Sequence, residues 1–146
     1  MDDPRPIGLF DSGVGGLTVV REVWRRLPGE STIYVGDSAR TPYGTRRESE
    51  VIAFSAEIAD YLVARGAKAI VIACNTASAV ALQALRRRHP TVPIVGVVRP
   101  GASAAALATR TGRIGVLATR ATVQSGAYFA AIKEESPAAV IEERPA

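Results

Sequence analysis

The only cysteine in the sequence, Cys74, stands at the end of an apolar run, in the segment "ACNTAS" (73–78). A free cysteine is most often a small buried hydrophobe. Here the residue falls between a predicted strand and a predicted helix whose first turn begins near Asn75 or Thr76. The N-terminus of a helix stabilises a thiolate and lowers the pKa of the thiol from its free value of about 8.5. Because the neighbouring residues are small and polar, we expect Cys74 to be accessible and to have a chemical role.

Polar residues also follow the other predicted strands. In an open parallel sheet, ligands bind beyond the carboxyl ends of the strands, so side chains that follow different strands meet at one rim. We therefore expect a binding site made of the residues that come shortly after the strands. These residues are Asp11 and Ser12, Asp37 and the segment "TPYG" (41–44), Cys74, Asn75 and Thr76, and Thr119 and Thr122.

Other chemistries fit the sequence less well. The segment "GVGGLT" (13–18) lacks the lysine and spacing of a P-loop and the spacing of a dinucleotide-binding loop, so we predict a tight strand-to-helix turn. A pyridoxal enzyme needs a lysine for its Schiff base, and both lysines, Lys68 and Lys133, are predicted to lie away from the rim. One cysteine and one histidine do not supply the ligand cluster of a structural metal site. We predict neither a cofactor nor a bound metal.

Short β-branched apolar runs alternate with longer amphipathic segments along the chain. In segment 48–65, apolar residues recur with helical spacing, and Gly66 follows as a C-terminal stop. Strict alternation of strand and helix predicts an α/β fold, a parallel sheet with helices on both faces. The predicted strands are 7–10, 32–36, 69–73, 93–98 and 113–118, and the predicted helices are 17–27, 48–65, 76–88, 102–109 and 122–134.

The segment "VRPGA" (98–102) interrupts this pattern with proline and glycine. We place a junction there, between a first α/β domain over 1–98 and the beginning of a second, truncated α/β domain over 99–146. The last residues, "PAAVIEERPA" (137–146), have the pattern of a strand with no later element to pack against.

The composition limits the partners of the chain. With 47% hydrophobic and 22% charged residues over 146 positions, it is typical of a soluble globular protein. No apolar stretch reaches the roughly 18 residues of a membrane span, and the N-terminus does not resemble a secretory signal. A single cysteine forms no internal disulfide, which favours a reducing cytoplasm. The net charge of +4 comes from arginines at predicted helix ends with few aromatic residues beside them. We expect neither a membrane nor a nucleic acid as partner.

Four segments together resemble a known family. "IGLFDSGVGGLTVV", "YVGDSARTPYG", "VIACNTASA" and "IGVLATRATVQSGAY" are similar in order, spacing and position to the N-terminal half of the glutamate racemases, in the aspartate/glutamate racemase family. Asp11 and Ser12 favour glutamate, since the aspartate racemases tend to open with a different glycine loop. The resemblance implies a cytoplasmic, cofactor-independent isomerase that interconverts L- and D-glutamate. It thereby implies a role in peptidoglycan synthesis, and so in cell wall biogenesis and cell shape.

The resemblance also implies roles for individual residues. Cys74 would be one of two catalytic acid/base thiols, and Asp11 would assist the thiol or the substrate ammonium. Inversion of a carbon requires proton removal on one face and proton delivery on the other. Hydroxyl and amide donors around the carboxylates stabilise an electron-rich transition state. The implied substrate-binding residues are Asp11, Ser12, Tyr43, Gly44, Asn75, Thr76, Thr119 and Thr122.

The sequence departs from the family in length. Family members are nearly twice as long, with two similar α/β domains that face each other across the site. Their second thiol lies in a Cys-Thr-His motif, and their first domain is completed by C-terminal elements, both of which are absent here. We therefore expect a fragment or a truncated gene product that is inactive alone.

Three interpretations stay open at this point. The chain is an incomplete glutamate racemase, a racemase-like fold that acts on another amino acid or a hydantoin, or a non-catalytic remnant with an inert Cys74. Homodimer formation is also left open.

Overall fold

A computed structural model describes residues 3–146. Over this range strands and helices alternate, as the sequence predicts. The elements are β1 (Ile7–Asp11), α1 (Leu17–Arg26), β2 (Thr32–Gly36), a short 3-10 helix (Tyr43–Thr45), α2 (Glu48–Ala64), β3 (Ala69–Ile72), α3 (Asn75–Val80), α4 (Leu82–Arg88), β4 (Ile94–Gly96), α5 (Val98–Ala108), β5 (Arg113–Ala118), α6 (Arg120–Gln124), α7 (Ala127–Glu135) and β6 (Val140–Pro145).

The larger sheet contains the first strands of the chain, all parallel, in the order β2-β1-β3-β4. Ile7 of β1 lies opposite Thr32 of β2 and opposite Ala69 of β3, so these strands start and end at the same edges. The predicted α/β fold with a parallel sheet is therefore confirmed. Parallel strands at the centre of such a sheet are covered on both faces, which explains why β1 and β3 are continuous apolar runs.

The core of the larger sheet forms between its central strands and α2. Val51, Ile58 and Leu62 recur at helical spacing on α2 and are buried. They belong to one hydrophobic cluster with Phe10 of β1 and Ile72 of β3. Burial of a side chain of this size contributes about 2 kcal/mol. This packing fixes the carboxyl ends of β1 and β3, where Asp11 and Cys74 lie.

Helix α2 ends at Ala64, and Gly66 follows as the predicted C-terminal stop, with a φ of 81°. Its N–H donates to Val63 O over 2.9 Å, and the N–H of Ala67 donates to Leu62 O over 3.0 Å. These two bonds satisfy the last carbonyls of the helix in a Schellman motif. The reversal directs the chain into β3.

A smaller sheet pairs β5 with β6, also in parallel, with Arg113 opposite Val140. The strand predicted at the end of the sequence therefore has a partner within the chain. A second hydrophobic cluster lies under this sheet and includes Ala102 of α5, Ile114 of β5 and Ile132 of α7.

Three predicted element boundaries are wrong. The predicted helix 76–88 is two helices that meet at Ala81, and the predicted helix 122–134 is α6 and α7 separated by Gly126, which has a φ of 65°. The segment "VRPGA" lies within the first turns of α5 instead of interrupting the pattern. Pro100 fits there because the first turn of a helix has no intrahelical partner for its N–H groups.

Candidate active site

The site begins with a tightly folded loop after β1. Asp11 is buried, and its Oδ2 accepts a hydrogen bond of 2.9 Å from the N–H of Gly16. A Cβ at Gly16 would lie 2.7 Å from the Asp11 Cβ, so the turn requires glycine at this position. From the other side, the Tyr34 hydroxyl donates to Gly13 O over 2.8 Å. These contacts hold the loop in a tight turn, as predicted, and the turn places Ser12 beside Cys74.

Cys74 caps the N-terminus of α3. Its Sγ accepts a hydrogen bond of 3.4 Å from the N–H of Ala77, and it lies 3.7 Å from Ser12 Oγ, to which the thiol donates. The predicted position between a strand end and a helix start is confirmed. The predicted accessibility is wrong, because Cys74 is only 5% exposed.

The predicted lowering of the Cys74 pKa is also wrong. Burial is the largest influence, and it raises the pKa of the thiol above its ordinary value. The hydrogen bonds from Ala77 and with Ser12 lower the pKa, whereas the nearby carboxylate of Asp11 raises it. The helix N-terminus acts in the expected direction, but removal of water from around the sulfur has the larger effect. In this chain the thiol is therefore protonated at neutral pH.

Three threonine hydroxyls form a triangle across the site. Thr76 Oγ1 lies 2.9 Å from Thr119 Oγ1 and 3.2 Å from Thr122 Oγ1, and the last two oxygens are 2.9 Å apart. Thr76 belongs to α3, whereas Thr119 caps α6 and accepts from the N–H of Thr122. Thr122 is 1% exposed, whereas Thr119 faces solvent. The triangle joins the larger sheet to the smaller one, and Thr119 is its exposed member.

The 3-10 helix contacts the triangle through Gly44. A Cβ at Gly44 would lie 2.5 Å from the Thr119 Cβ, so only glycine permits this approach. The preceding residue, Tyr43, is 1% exposed, and its hydroxyl donates to Asp37 Oδ2 over 2.5 Å. Arg40 donates to the same carboxylate over 2.7 Å. These contacts hold the 3-10 helix against the core of the larger sheet.

The side chain of Tyr43 is enclosed by protein, and its hydroxyl is already bonded to Asp37. Burial, followed by the hydrogen bond to Asp37, strongly raises the pKa of the Tyr43 phenol, so it stays protonated. A ligand at the rim would therefore meet the backbone of Tyr43 and Gly44 rather than the phenol.

Asn75 is the first residue of α3, and its side chain is exposed. Its Oδ1 accepts a hydrogen bond of 2.6 Å from the hydroxyl of Tyr128, which is 53 positions away on α7. Sequence reasoning did not select Tyr128 or Tyr34, because each contacts a residue far away in the chain, Asn75 and Gly13 respectively. Only the fold brings them to the rim.

The predicted site residues thus lie together around one rim. Asp11 and Asn75 line a cavity of about 270 Å³, and Asn75 shares a second cavity of about 440 Å³ with Thr119, Thr122 and Tyr128. A third cavity of about 400 Å³ lies between Gly44 and Thr119. The site is accordingly an open surface, and its neighbouring cavities share the lining residues Asn75 and Thr119.

Both lysines are held away from this rim. Lys68 pairs with Glu30 over 2.5 Å, and Lys133 donates to the carbonyls of Pro137 and Ala139. Within residues 3–146, no group of three or more His, Cys, Asp and Glu side chains is arranged to hold a metal ion. In the same range, no helix has both the length and the hydrophobicity needed to cross a bilayer.

A parallel sheet that carries a thiol, a carboxylate and several hydroxyls at its carboxyl edge defines the class of protein. The family profile "Asp/Glu/Hydantoin racemase" matches residues 12–144. The chain belongs to the Asp/Glu/hydantoin racemase family.

Within this family, the curated proteins similar to the chain include several glutamate racemases. The chain is 54% identical over 133 residues to a glutamate racemase of Geobacter metallireducens. The aligned residues cover 91% of the chain and 49% of the relative. It is 60% identical over 125 residues to one of Beutenbergia cavernae, covering 84% of the chain and 43% of the relative. The chain spans about half the length of the curated relatives it matches.

Solved structures agree with this assignment. The crystal structure of a Bacillus anthracis glutamate racemase superposes with a TM-score of 0.91 at 44% identity, covering 97% of this chain and 53% of the other. A Francisella tularensis glutamate racemase in complex with D-glutamate gives a TM-score of 0.90 at 40% identity, covering 99% of this chain and 53% of that one. The resemblance stated from sequence motifs is confirmed.

Proposed function

We propose that this chain is the N-terminal half of a cofactor-independent glutamate racemase and supplies one of its two proton-transfer groups. The observation that carries the proposal is the position of Cys74, whose sulfur lies at the carboxyl edge of the sheet beside Ser12 and one residue before the exposed Asn75. Support comes from the relatives, which are named glutamate racemases, and from the D-glutamate bound in the Francisella tularensis protein.

In this proposal Cys74 exchanges the α-proton on one face of the substrate. The Cys74 thiol first gives its own proton to solvent. The resulting thiolate then takes the α-proton: an S–H bond forms, the Cα–H bond breaks and its electron pair stays on the substrate as a carbanion-like centre. The ammonium of the bound amino acid favours the thiolate, which opposes the rise in pKa caused by burial. The Ser12 hydroxyl can turn to donate to the ionised sulfur.

The substrate carboxylates are held by donors on the rim. We assign direct contacts to the side chains of Ser12, Asn75, Thr76 and Thr119, with Asp11 facing the ammonium. Tyr43 and Gly44 contribute backbone groups, and Thr122 supports the other two threonines from behind. When Thr119 donates to a carboxylate, the Thr122 hydroxyl can donate to Thr119, while Thr76 keeps its own proton for the substrate. A donor behind the Thr119 oxygen polarises its O–H bond and strengthens its hydrogen bond to the substrate.

Racemisation also needs a proton donor on the opposite face of the substrate. We propose that this group, a second thiol, comes from polypeptide equivalent to the half of the relatives that this chain does not span. In the same proposal residues 1–98 and 99–146 are the first domain and the start of the second. The active protein acts in the cytoplasm, where it supplies D-glutamate for peptidoglycan.

The test compares the chain alone with the chain joined to the second half of the Geobacter metallireducens relative. Formation of D-glutamate from L-glutamate is measured in both, after expression in a host whose own racemase has been removed. We expect turnover in the joined protein and none at a useful rate in the chain alone. Turnover of another amino acid or a hydantoin, but not glutamate, would assign a different substrate within the family. Absence of all turnover in the joined protein would contradict the catalytic proposal.

A further inference from the structure

The contact between Tyr128 and Asn75 connects two distant parts of the rim. The Tyr128 hydroxyl donates to Asn75 Oδ1 over 2.6 Å, although Asn75 is exposed at the start of α3 and Tyr128 belongs to α7. An exposed asparagine usually hydrogen-bonds to water and rotates freely. Here a half-buried phenol holds one end of the carboxamide, and the other end stays open to the rim.

The phenol reaches Asn75 across α5, and it passes over Gly101. A Cβ at Gly101 would lie 3.1 Å from the Tyr128 hydroxyl oxygen and 3.2 Å from its Cε1. The absence of a side chain at this position therefore leaves the space that the phenol occupies. Desolvation raises the pKa of Tyr128, so the hydroxyl carries its proton at neutral pH and is able to donate.

The two ends of a carboxamide have nearly the same shape but opposite hydrogen-bonding character. With the oxygen facing a ligand, Asn75 would repel a carboxylate, whereas with the N–H₂ group facing it the residue donates. A donor fixed on Oδ1 selects the second orientation, because the oxygen turns towards the phenol. Tyr128 therefore determines which end of Asn75 a ligand meets.

We propose that Tyr128 is a positioning residue that fixes the carboxamide of Asn75 with its N–H₂ group towards a carboxylate of glutamate. The assignment of glutamate rests on the proposed function, whereas the orientation of the carboxamide rests on the contact between the two side chains. A purely structural role, in which Tyr128 only ties α7 to α3, would also shift the Asn75 signals in the first experiment below, but it predicts different KM values for the variants of the joined protein.

The first experiment tests the contact in the 146-residue chain itself. The side-chain N–H₂ signals of Asn75 are recorded in a nitrogen–proton correlation spectrum and assigned by their loss in Asn75→Ala. We expect Tyr128→Phe to shift this pair and to increase its solvent exchange, whereas the matched variant Tyr61→Phe, which removes an exposed phenol on α2, leaves it unchanged. Unchanged Asn75 signals in a folded Tyr128→Phe chain would overturn the proposal.

The second experiment tests the consequence for binding in the joined protein. We expect Tyr128→Phe to raise KM for glutamate by about 3- to 10-fold, the effect of one hydrogen bond, with kcat within about twofold. In the Asn75→Ala background the same substitution should change KM no further, since the group it positions is gone. An equal KM increase in both backgrounds, or an unchanged KM in either glutamate direction, would contradict the proposal.

A second variant separates positioning from stability. Gly101→Ala introduces a methyl group against the Tyr128 phenol, while alanine is a better helix former than glycine within α5. We expect a higher KM together with an unchanged or raised Tm, a combination that a purely structural role does not produce. If the joined protein has no racemase activity, the proposed function fails, whereas the Asn75 signals still decide whether Tyr128 orients the carboxamide.

Discussion

The two sheets of the molecule differ in how completely they are covered. In the larger sheet, Phe10 and Ile72 on the central strands are fully buried. In the smaller sheet Ile114 is the buried residue of β5, while Leu117 on the same strand is 75% exposed, and Leu107 of the adjoining α5 is 88% exposed. A two-stranded sheet is marginally stable by itself. The smaller sheet therefore depends on its packing against α5 and α7.

The two proposed tasks of the site, proton transfer and substrate binding, fall to residues from these two differently packed regions. Cys74 and Asp11 lie at the ends of the central strands β3 and β1, whose buried residues pack against α2. Thr119 and Thr122 come from the less covered unit and reach Thr76 through hydrogen bonds between hydroxyls. The proposed proton-transfer group is thus held by a packed core, whereas part of the proposed substrate-binding surface is held by a few polar contacts.

The largest expected effect comes from removing the thiol. In the joined protein, Cys74→Ser should reduce racemisation by about 1,000-fold, because a serine hydroxyl is far less acidic and is a poor acid/base group at neutral pH. D-glutamate formation is the measurement, with an unchanged circular dichroism spectrum as the control for folding. Normal turnover in the folded variant would remove Cys74 from the mechanism.

A pair of matched truncations tests the difference in packing directly. Ile72→Ala should lower the free energy of unfolding by about 2–5 kcal/mol, because it leaves a cavity in a closed core. Leu117→Ala should change it by less than about 0.5 kcal/mol, since the side chain is already exposed. Urea denaturation of the two variants makes the comparison. A large loss for Leu117→Ala would show that the face of β5 is covered in solution.

The threonine triangle offers a smaller and more local perturbation. Thr122→Val keeps the shape of the side chain but removes the hydroxyl, so we expect a loss of about 1 kcal/mol in stability and weaker binding of glutamate by the joined protein. Thr122→Ser, which keeps the hydroxyl, is the matched control. If serine and valine have the same effect, the hydroxyl of Thr122 does not act through the other two threonines.

The smallest expected effect concerns the pKa of the Cys74 thiol in the unmodified chain. Burial raises the Cys74 pKa, so alkylation by iodoacetamide at neutral pH should be slower than that of free cysteine. When the pKa of the thiol is higher in the folded protein than in the unfolded chain, its contribution to stability is complete at pH values below the unfolded pKa. This contribution is lost as the pH rises from the unfolded pKa through the folded pKa. The stability advantage over Cys74→Ser should therefore decline above about pH 8.5. Alkylation faster than that of free cysteine would mean that the thiolate is favoured after all.

Local pattern in the sequence was sufficient for most of the fold and for the positions of the site residues. The alternation of apolar runs and amphipathic segments predicts β1 to β5, and the residues after those strands include Asp11, Cys74 and Thr119. The inference holds for Asp11 and Cys74 because strand ends in one parallel sheet share an edge. Thr119 follows β5 of the smaller sheet, and only the packing of the two sheets brings it to the same rim. The break at Ala81 and the start of α5 at Val98 were not predicted, since no strong local signal marks either boundary.

The chemistry of the site depends on contacts between residues far apart in the chain. Tertiary packing excludes water from the sulfur of Cys74, and this reverses the pKa shift that its helix position predicts. It also turns the Tyr43 phenol inward to Asp37, joins Thr76 to Thr119 across 43 positions, and brings Tyr128 to Asn75. Residue type and spacing indicate which polar groups follow the strands. Desolvation and side-chain orientation decide what those groups can do, because both arise only when distant segments pack together.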